Sequence, residues 1–102
     1  WVFLNNSFLS MVENRNNKDE LLVRSRIKGD IEKVFPDSDV FEMENSDYKY
    51  RCYIKKTDVS NKLKNIVEDI NYDNFKNSIP SDQSERHHSY LNVWTELRKL
   101  QK

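Results

Sequence analysis

Apolar and polar residues alternate with a period of two through much of the first half of the chain, and lengthen to a helical period in several later places. The apolar run Trp1-Val2-Phe3-Leu4 reads as a strand. Asn5-Asn6-Ser7 reads as a turn or bulge, because these side chains hydrogen-bond to nearby backbone. Residues 8–13 resume the extended pattern, and residues 14–20 form a polar loop with Asn and Asp but no Gly. A strand follows over 21–26, with Leu22, Arg24 and Arg26 on one face and Leu21, Val23 and Ser25 on the other. Ile27, Ile31, Val34 and Phe35 then fall at i, i+4, i+7 and i+8, one stripe of a short helix. Gly29 lies near its start. Pro36 closes it, since the residue before a proline avoids the α region.

Alternation returns over 40–44, with Phe41 and Met43 against Glu42 and Glu44. It returns again over 48–54, with Tyr48, Tyr50, Cys52 and Ile54 against Lys49, Arg51 and Tyr53. Asn45-Ser46-Asp47 between them is a turn signal, so the two runs form a second hairpin. Matching the faces sets Glu42 opposite Arg51 and Glu44 opposite Lys49, pairs that stabilise by about 0.2–1 kcal/mol each. Thr57, Asp58 or Ser60 is expected to cap a helix whose stripe is Val59, Leu63, Ile66, Val67 and Ile70. Tyr72, Phe75 and Ile79 mark a short segment ended by Pro80. A last helix carries Tyr90, Val93, Trp94, Leu97 and Leu100 on one face. Arg98, Lys99 and Lys102 lie near its C-terminus, where cations suit the helix dipole.

The order β-β-α-β-β-α predicts a single α+β domain over residues 1–102. Its centre is an antiparallel four- to five-stranded sheet of two hairpins, with helices packed on the apolar face. The order can be read as a permuted ferredoxin-like sandwich, its last strand moved to the front, plus C-terminal helices. Residues 1–4 would add an edge strand.

Composition narrows the function. A chain of 102 residues has room for one core. Mean hydropathy is −0.93, low for a folded protein, but two Trp, five Tyr and five Phe argue against disorder. Seventeen basic residues balance seventeen acidic ones, so no global field steers the chain toward nucleic acid or acidic membranes. The single cysteine, Cys52, excludes an intramolecular disulfide and a multi-cysteine zinc site. Its mid-strand position suits a buried small hydrophobe. One glycine excludes a Gly-rich phosphate loop and a dinucleotide fingerprint. No stretch approaches the roughly 18 apolar residues of a membrane span. The first four residues are too short and lack the positive flank of a signal peptide. A native chain does not begin at Trp1, so an initiator methionine or a tag is the expected missing piece. A cytoplasmic protein with no cofactor and no membrane partner is expected.

Three groups of residues could carry function. Arg24, Arg26, Lys49, Arg51 and Tyr53 share the polar sheet face, a plausible platform for single-stranded nucleic acid. The plainer reading is a solvated face neutralised by Glu42 and Glu44, and no RNA-recognition signature is present. His87-His88 is the second group. Adjacent helical residues diverge by about 100°, so the pair cannot chelate one metal, and only Asp82 and Glu85 lie near in sequence. No metal site is expected, and no spacing singles out a nucleophile for either histidine. Tyr72, Phe75, Tyr90 and Trp94 form the third, an aromatic set that reads as core or as a partner groove. The loops 14–20 and 81–85 are places where a partner could dock. The carboxylates Asp37, Asp39, Asp69 and Asp73 sit in turns and caps.

Several stretches together carry a resemblance. They are Trp1-Val2-Phe3-Leu4 with Ser7-Phe8-Leu9-Ser10, and Leu22-Val23-Arg24-Ser25-Arg26 with Gly29-Asp30-Ile31. Asp47-Tyr48-Lys49-Tyr50-Arg51, Ile70-Asn71-Tyr72-Asp73-Asn74-Phe75-Lys76 and His87-His88-Ser89-Tyr90-Leu91-Asn92-Val93-Trp94 complete the set. Over nearly its whole length the chain resembles a family of small uncharacterised bacterial proteins with no assigned activity. The resemblance marks Arg24, Arg26, Tyr48, Arg51, Tyr72, Asn74, Phe75, Lys76, His87, Tyr90 and Trp94. Asn71 stands where that pattern has Asp, which puts a charge-dependent role there in doubt.

The expectation is a non-enzymatic binding or regulatory module acting through a protein partner or self-association, with no catalytic residue assigned. Its candidate binding residues are Arg24, Arg26, Arg51, Tyr72, Asn74, Lys76, His87 and Tyr90. One alternative is a nucleic-acid-binding module using Arg24, Arg26 and Arg51. Another is a small hydrolase or nuclease centred on His87 with Tyr72, Asn74 and Lys76, which requires His87 and Lys76 to meet in one pocket.

Overall fold

In a computed structural model describing residues 1–102, the strands form one five-stranded antiparallel sheet in the order β1-β2-β3-β5-β4. The strands are β1 (Val2–Phe3), β2 (Phe8–Glu13), β3 (Glu20–Ser25), β4 (Phe41–Glu42) and β5 (Tyr50–Lys55). The helices are α1 (Asp30–Val34), α2 (Lys56–Glu68) and α3 (Ser84–Arg98), with a 3-10 turn at Lys76–Ser78. The fold is therefore α+β, as alternation and helical period predict. The chain divides into two compact units, Trp1–Ile70 and Asn71–Lys102.

In the first unit, the β2–β3 hairpin pairs Met11 with Val23 and Val12 with Leu22. Asparagine takes the place of glycine in its loop. The Asn14 side chain accepts the Asn16 amide N–H at 3.0 Å and donates to Glu20 Oε1 at 3.2 Å, while Asn17 Oδ1 accepts the Asp19 N–H at 3.0 Å. One face of the sheet carries Leu9, Val23 and Cys52. Ile31, Val34 and Phe35 from α1 and its end, and Val59 from α2, pack against them as one core. Burial of each large side chain stabilises by about 1.5–3 kcal/mol.

The α1 segment is shorter than its stripe predicts. Gly29 precedes it at φ +94°, a left-handed conformation that other residues adopt only with strain, although nothing lies within 4 Å of where a Cβ would stand. That turn keeps Ile27 out of the helix, and Ile27 is exposed rather than part of the buried stripe. The Ile27 carbonyl instead accepts the Asp30 N–H and the Ser25 hydroxyl. The buried Asp30 carboxylate accepts the Phe8 N–H at 3.0 Å and so ties α1 to β2.

None of the expected caps starts α2. Thr57, Asp58 and Ser60 lie inside it, because the helix begins at Lys56, the residue after β5 ends. The first helical N–H is satisfied from the sheet side, by the Asp19 carbonyl at 2.8 Å. Val59, Leu63 and Ile66 face the core, whereas Val67 and Ile70 are exposed.

The second hairpin differs from expectation by one residue. Phe41 stands opposite Arg51 and Glu42 opposite Tyr50. The expected Glu42–Arg51 pair is absent, and β4 spans two residues instead of 40–44. The loop is the cause. Asn45 takes a left-handed φ of 62°, and Ser46 Oγ donates to the carbonyls of Met43 and Tyr48. The Met43 N–H then closes onto the Lys49 carbonyl at 2.8 Å. A slip of one residue exchanges the faces of a strand. Here it takes Glu42 away from the arginines and puts Phe41 beside them. Glu44 and Lys49 still meet, at 3.3 Å, within the turn.

In the second unit, Phe75 stacks on Tyr90 at 5.9 Å and contacts Tyr72 at 6.2 Å. Asn74 Oδ1 accepts the Asn77 N–H at 3.2 Å, just ahead of the 3-10 turn. Of the α3 stripe, Tyr90 is buried, while Trp94, Leu97 and Leu100 are exposed.

Candidate functional site: a cationic face of the sheet

Residues paired across neighbouring strands share a face. The registers therefore place Phe41, Arg51, Arg24 and Ser10 in one row across β4, β5, β3 and β2, on the side away from α1 and α2. Arg24 and Arg51 stand directly opposite each other, an arrangement that repels unless something intervenes. Tyr48 engages both, Arg24 through its ring and Arg51 through its backbone carbonyl. It lies just before β5, outside the alternation, so its ring does not join Tyr50 and Cys52 on the core face. The ring is buried between two guanidinium groups, with Arg24 Cζ 4.6 Å and Arg26 Cζ 4.5 Å from its centroid. Such contacts contribute about 0.5–2 kcal/mol each.

Hydrogen bonds set the rest of the cluster. Arg24 Nη2 donates to the buried Ser10 hydroxyl at 2.7 Å, and its Nε has no hydrogen-bond partner. Arg26 Nε donates to the Asp47 carbonyl at 3.1 Å, and Arg51 Nε to the Tyr48 carbonyl at 2.9 Å. Asp47 Oδ1 is 3.6 Å from Arg51 Nη2 and is the one carboxylate paired with these arginines. Lys49 belongs to Glu44, whose hydrogen-bonded carboxylate holds the ammonium above its ordinary pKa range.

Along β5 the same face presents Arg51, Tyr53 and Lys55 in alternation. Phe41 packs on Tyr53 with ring centroids 5.8 Å apart, and the two rings are 36 % and 48 % exposed. This face joins a cationic cluster to an open aromatic pair. It can neutralise an anion and stack a planar group. It offers no nucleophile paired with a base: Ser10 receives a proton donor, and burial on the opposite face pushes the Cys52 thiol above its usual range.

Of the residues expected to form a site, Arg24, Arg26 and Arg51 come together. Tyr72, Asn74, Lys76, His87 and Tyr90 belong to the second unit. There Tyr72 and Tyr90 both meet Phe75, and Asn74 accepts the Asn77 N–H. The Lys76 ammonium lies 4.9 Å over the Trp94 ring, shared with Arg98 at 5.5 Å. His87 is exposed on α3, and helix rise places Trp94 about 10 Å further along the axis. No group of three or more His, Cys, Asp or Glu comes together that could hold a metal ion. Two contributors escape residue periodicity. In sequence Tyr48 continues the spacing of Tyr50 and Cys52, which assigns it to the core face, and only the resemblance marks it. Phe41 was assigned to the other face by the shifted register.

No helix is long and apolar enough to cross a membrane. Comparison with known proteins finds no matching family, no similar curated protein and no similar solved structure.

Proposed function

We propose that the protein is a non-enzymatic binding module of the cytoplasm whose cationic sheet face takes an anionic partner, and that single-stranded nucleic acid suits this face best. The carrying observation is the excess of guanidinium over carboxylate: among Arg24, Arg26 and Arg51 only Arg51 has a paired carboxylate, that of Asp47, while Arg26 meets the Asp47 backbone carbonyl and Arg24 the Tyr48 ring. The Phe41–Tyr53 pair beside them favours a strand of bases over an acidic peptide, because bases stack on exposed rings while phosphates meet Arg and Lys. Zero net charge makes the attraction local to this face. The order β2-β3-β5-β4, with α1 leading from β3 to β4, also supports a ferredoxin-like reading of the sheet.

The test is fluorescence anisotropy of short labelled oligo-dT and oligo-U at low salt. Two or three phosphate contacts give a log–log salt slope of about −1.4 to −2. Tyr53→Ala and Arg26→Ala are each expected to weaken binding about ten-fold with the circular-dichroism spectrum unchanged. Unchanged anisotropy at low salt would overturn the proposal.

A further inference from the structure

The outer edge of β5 is only half covered. On its inner side β5 pairs with β3 over all six residues, from Tyr50–Ser25 to Lys55–Glu20. On its outer side β4 pairs with Tyr50 and Arg51 alone. The Lys49 carbonyl bonds to Met43, so the odd-numbered residues of β5 turn their backbone groups toward the β4 side. Past Arg51, the Tyr53 backbone and the Lys55 N–H face outward with no strand beside them; the Tyr53 carbonyl takes only a 3.6 Å contact from the Cys52 thiol, and the Lys55 carbonyl belongs to the start of α2. The chain that could have continued β4 does not do so, because Val40 packs against the core instead.

A groove of about 650 Å³ follows this same stretch, within the first unit. Residues 52–55 form one side, residues 35–39 and α2 the others. Its volume falls within the roughly 300–1,000 Å³ of ligand pockets. Its charge is opposite to that of the cationic face. Glu20, Asp37, Asp39 and Asp58 line it against Lys55 and Lys62. A polyanion is disfavoured there, and a cationic chain is favoured.

We infer that this edge takes an extended segment of a partner protein as an added strand, with basic side chains of that segment meeting Asp37, Asp39 and Asp58. The backbone supplies the affinity through ladder hydrogen bonds to the Tyr53 N–H and carbonyl and to the Lys55 N–H. The carboxylates supply the selectivity. Four residues of added strand span about 14 Å, the length of the uncovered edge. This surface is separate from the proposed oligonucleotide platform, which uses side chains on the sheet face rather than the backbone of its edge.

The probe is a labelled peptide of alternating Lys and Val, titrated into the full chain and followed by amide NMR. The Tyr53 and Lys55 amides are expected to shift and to gain hydrogen-exchange protection. Asp39→Lys combined with Asp58→Lys is expected to weaken peptide binding about ten-fold or more, while oligonucleotide binding, favoured by the added positive charge, is not weakened. A version of the peptide N-methylated at alternate amides, which cannot complete the ladder, is expected not to bind. Equal binding of that version overturns the inference, as does saturation without protection at Tyr53. Concentration-dependent protection of Tyr53 without peptide also overturns it, by showing that a second copy fills the edge. The oligonucleotide titration, run in parallel, reports on the cationic face independently of all these outcomes.

Discussion

Two neighbouring cross-strand pairs in the middle of the sheet differ more than any others. Val23 faces Cys52, and one residue on, Arg24 faces Arg51. The backbone is the same and the strands are the same. The first pair lies in the core, sealed by α1 and α2. The second sets two cations side by side on the other face and depends on Tyr48, Ser10 and Asp47 to hold them there. The first arrangement is what burial of apolar surface rewards. The second has an intrinsic cost, since like charges opposed across strands destabilise. The stabilising core and the proposed binding face are thus separated by the pleat, and each can be perturbed while the other is watched.

The largest effect is expected on the core side. Leu9 is wholly buried, and Leu9→Ala should cost about 2–5 kcal/mol in urea unfolding. A loss below about 1 kcal/mol would mean that this face does not hold the sheet together. A smaller effect is expected from Tyr48→Leu, which retains apolar bulk but removes the ring between Arg24 and Arg26. It should cost about 1–4 kcal/mol, the sum of two cation–π contacts. A neutral result would make Tyr48 a passive filler. The smallest is the coupling between the two arginines. In a cycle of Arg24→Met and Arg51→Met, the double variant should be less stable than the two single losses predict. The shortfall should be about 0.2–1 kcal/mol, shrinking as salt is added. The opposite sign would show the guanidinium groups supporting each other.

The same pleat explains what could be read from the residues. Strict alternation revealed β2, β3 and β5, and with them the shared face of Arg24 and Arg51. Helical spacing revealed Ile31, Val34 and Val59 as core. Local chemistry that breaks a period was not legible. The left-handed Asn45 shifted the hairpin register, and the left-handed Gly29 released Ile27. The Lys56 N–H found its acceptor in Asp19, far away in sequence, so no capping residue announced the start of α2. Tyr48 was hidden for a related reason. Its sequence spacing continues that of β5, but it precedes the strand and leaves the core face, its place set by two arginines from another strand and its extension.

The junction between β5 and α2 has a mechanical consequence. Strand passes into helix at Lys55–Lys56 without a joint, and the Asp19 carbonyl bolts the junction to the neighbouring hairpin. A strand and a helix joined in this way act as one lever. The arm is thirteen residues long, about 20 Å. A tilt of about 5° at the sheet edge therefore carries the far end of the arm through roughly 2 Å. Amides along strand and helix should therefore open to hydrogen exchange as one cooperative block.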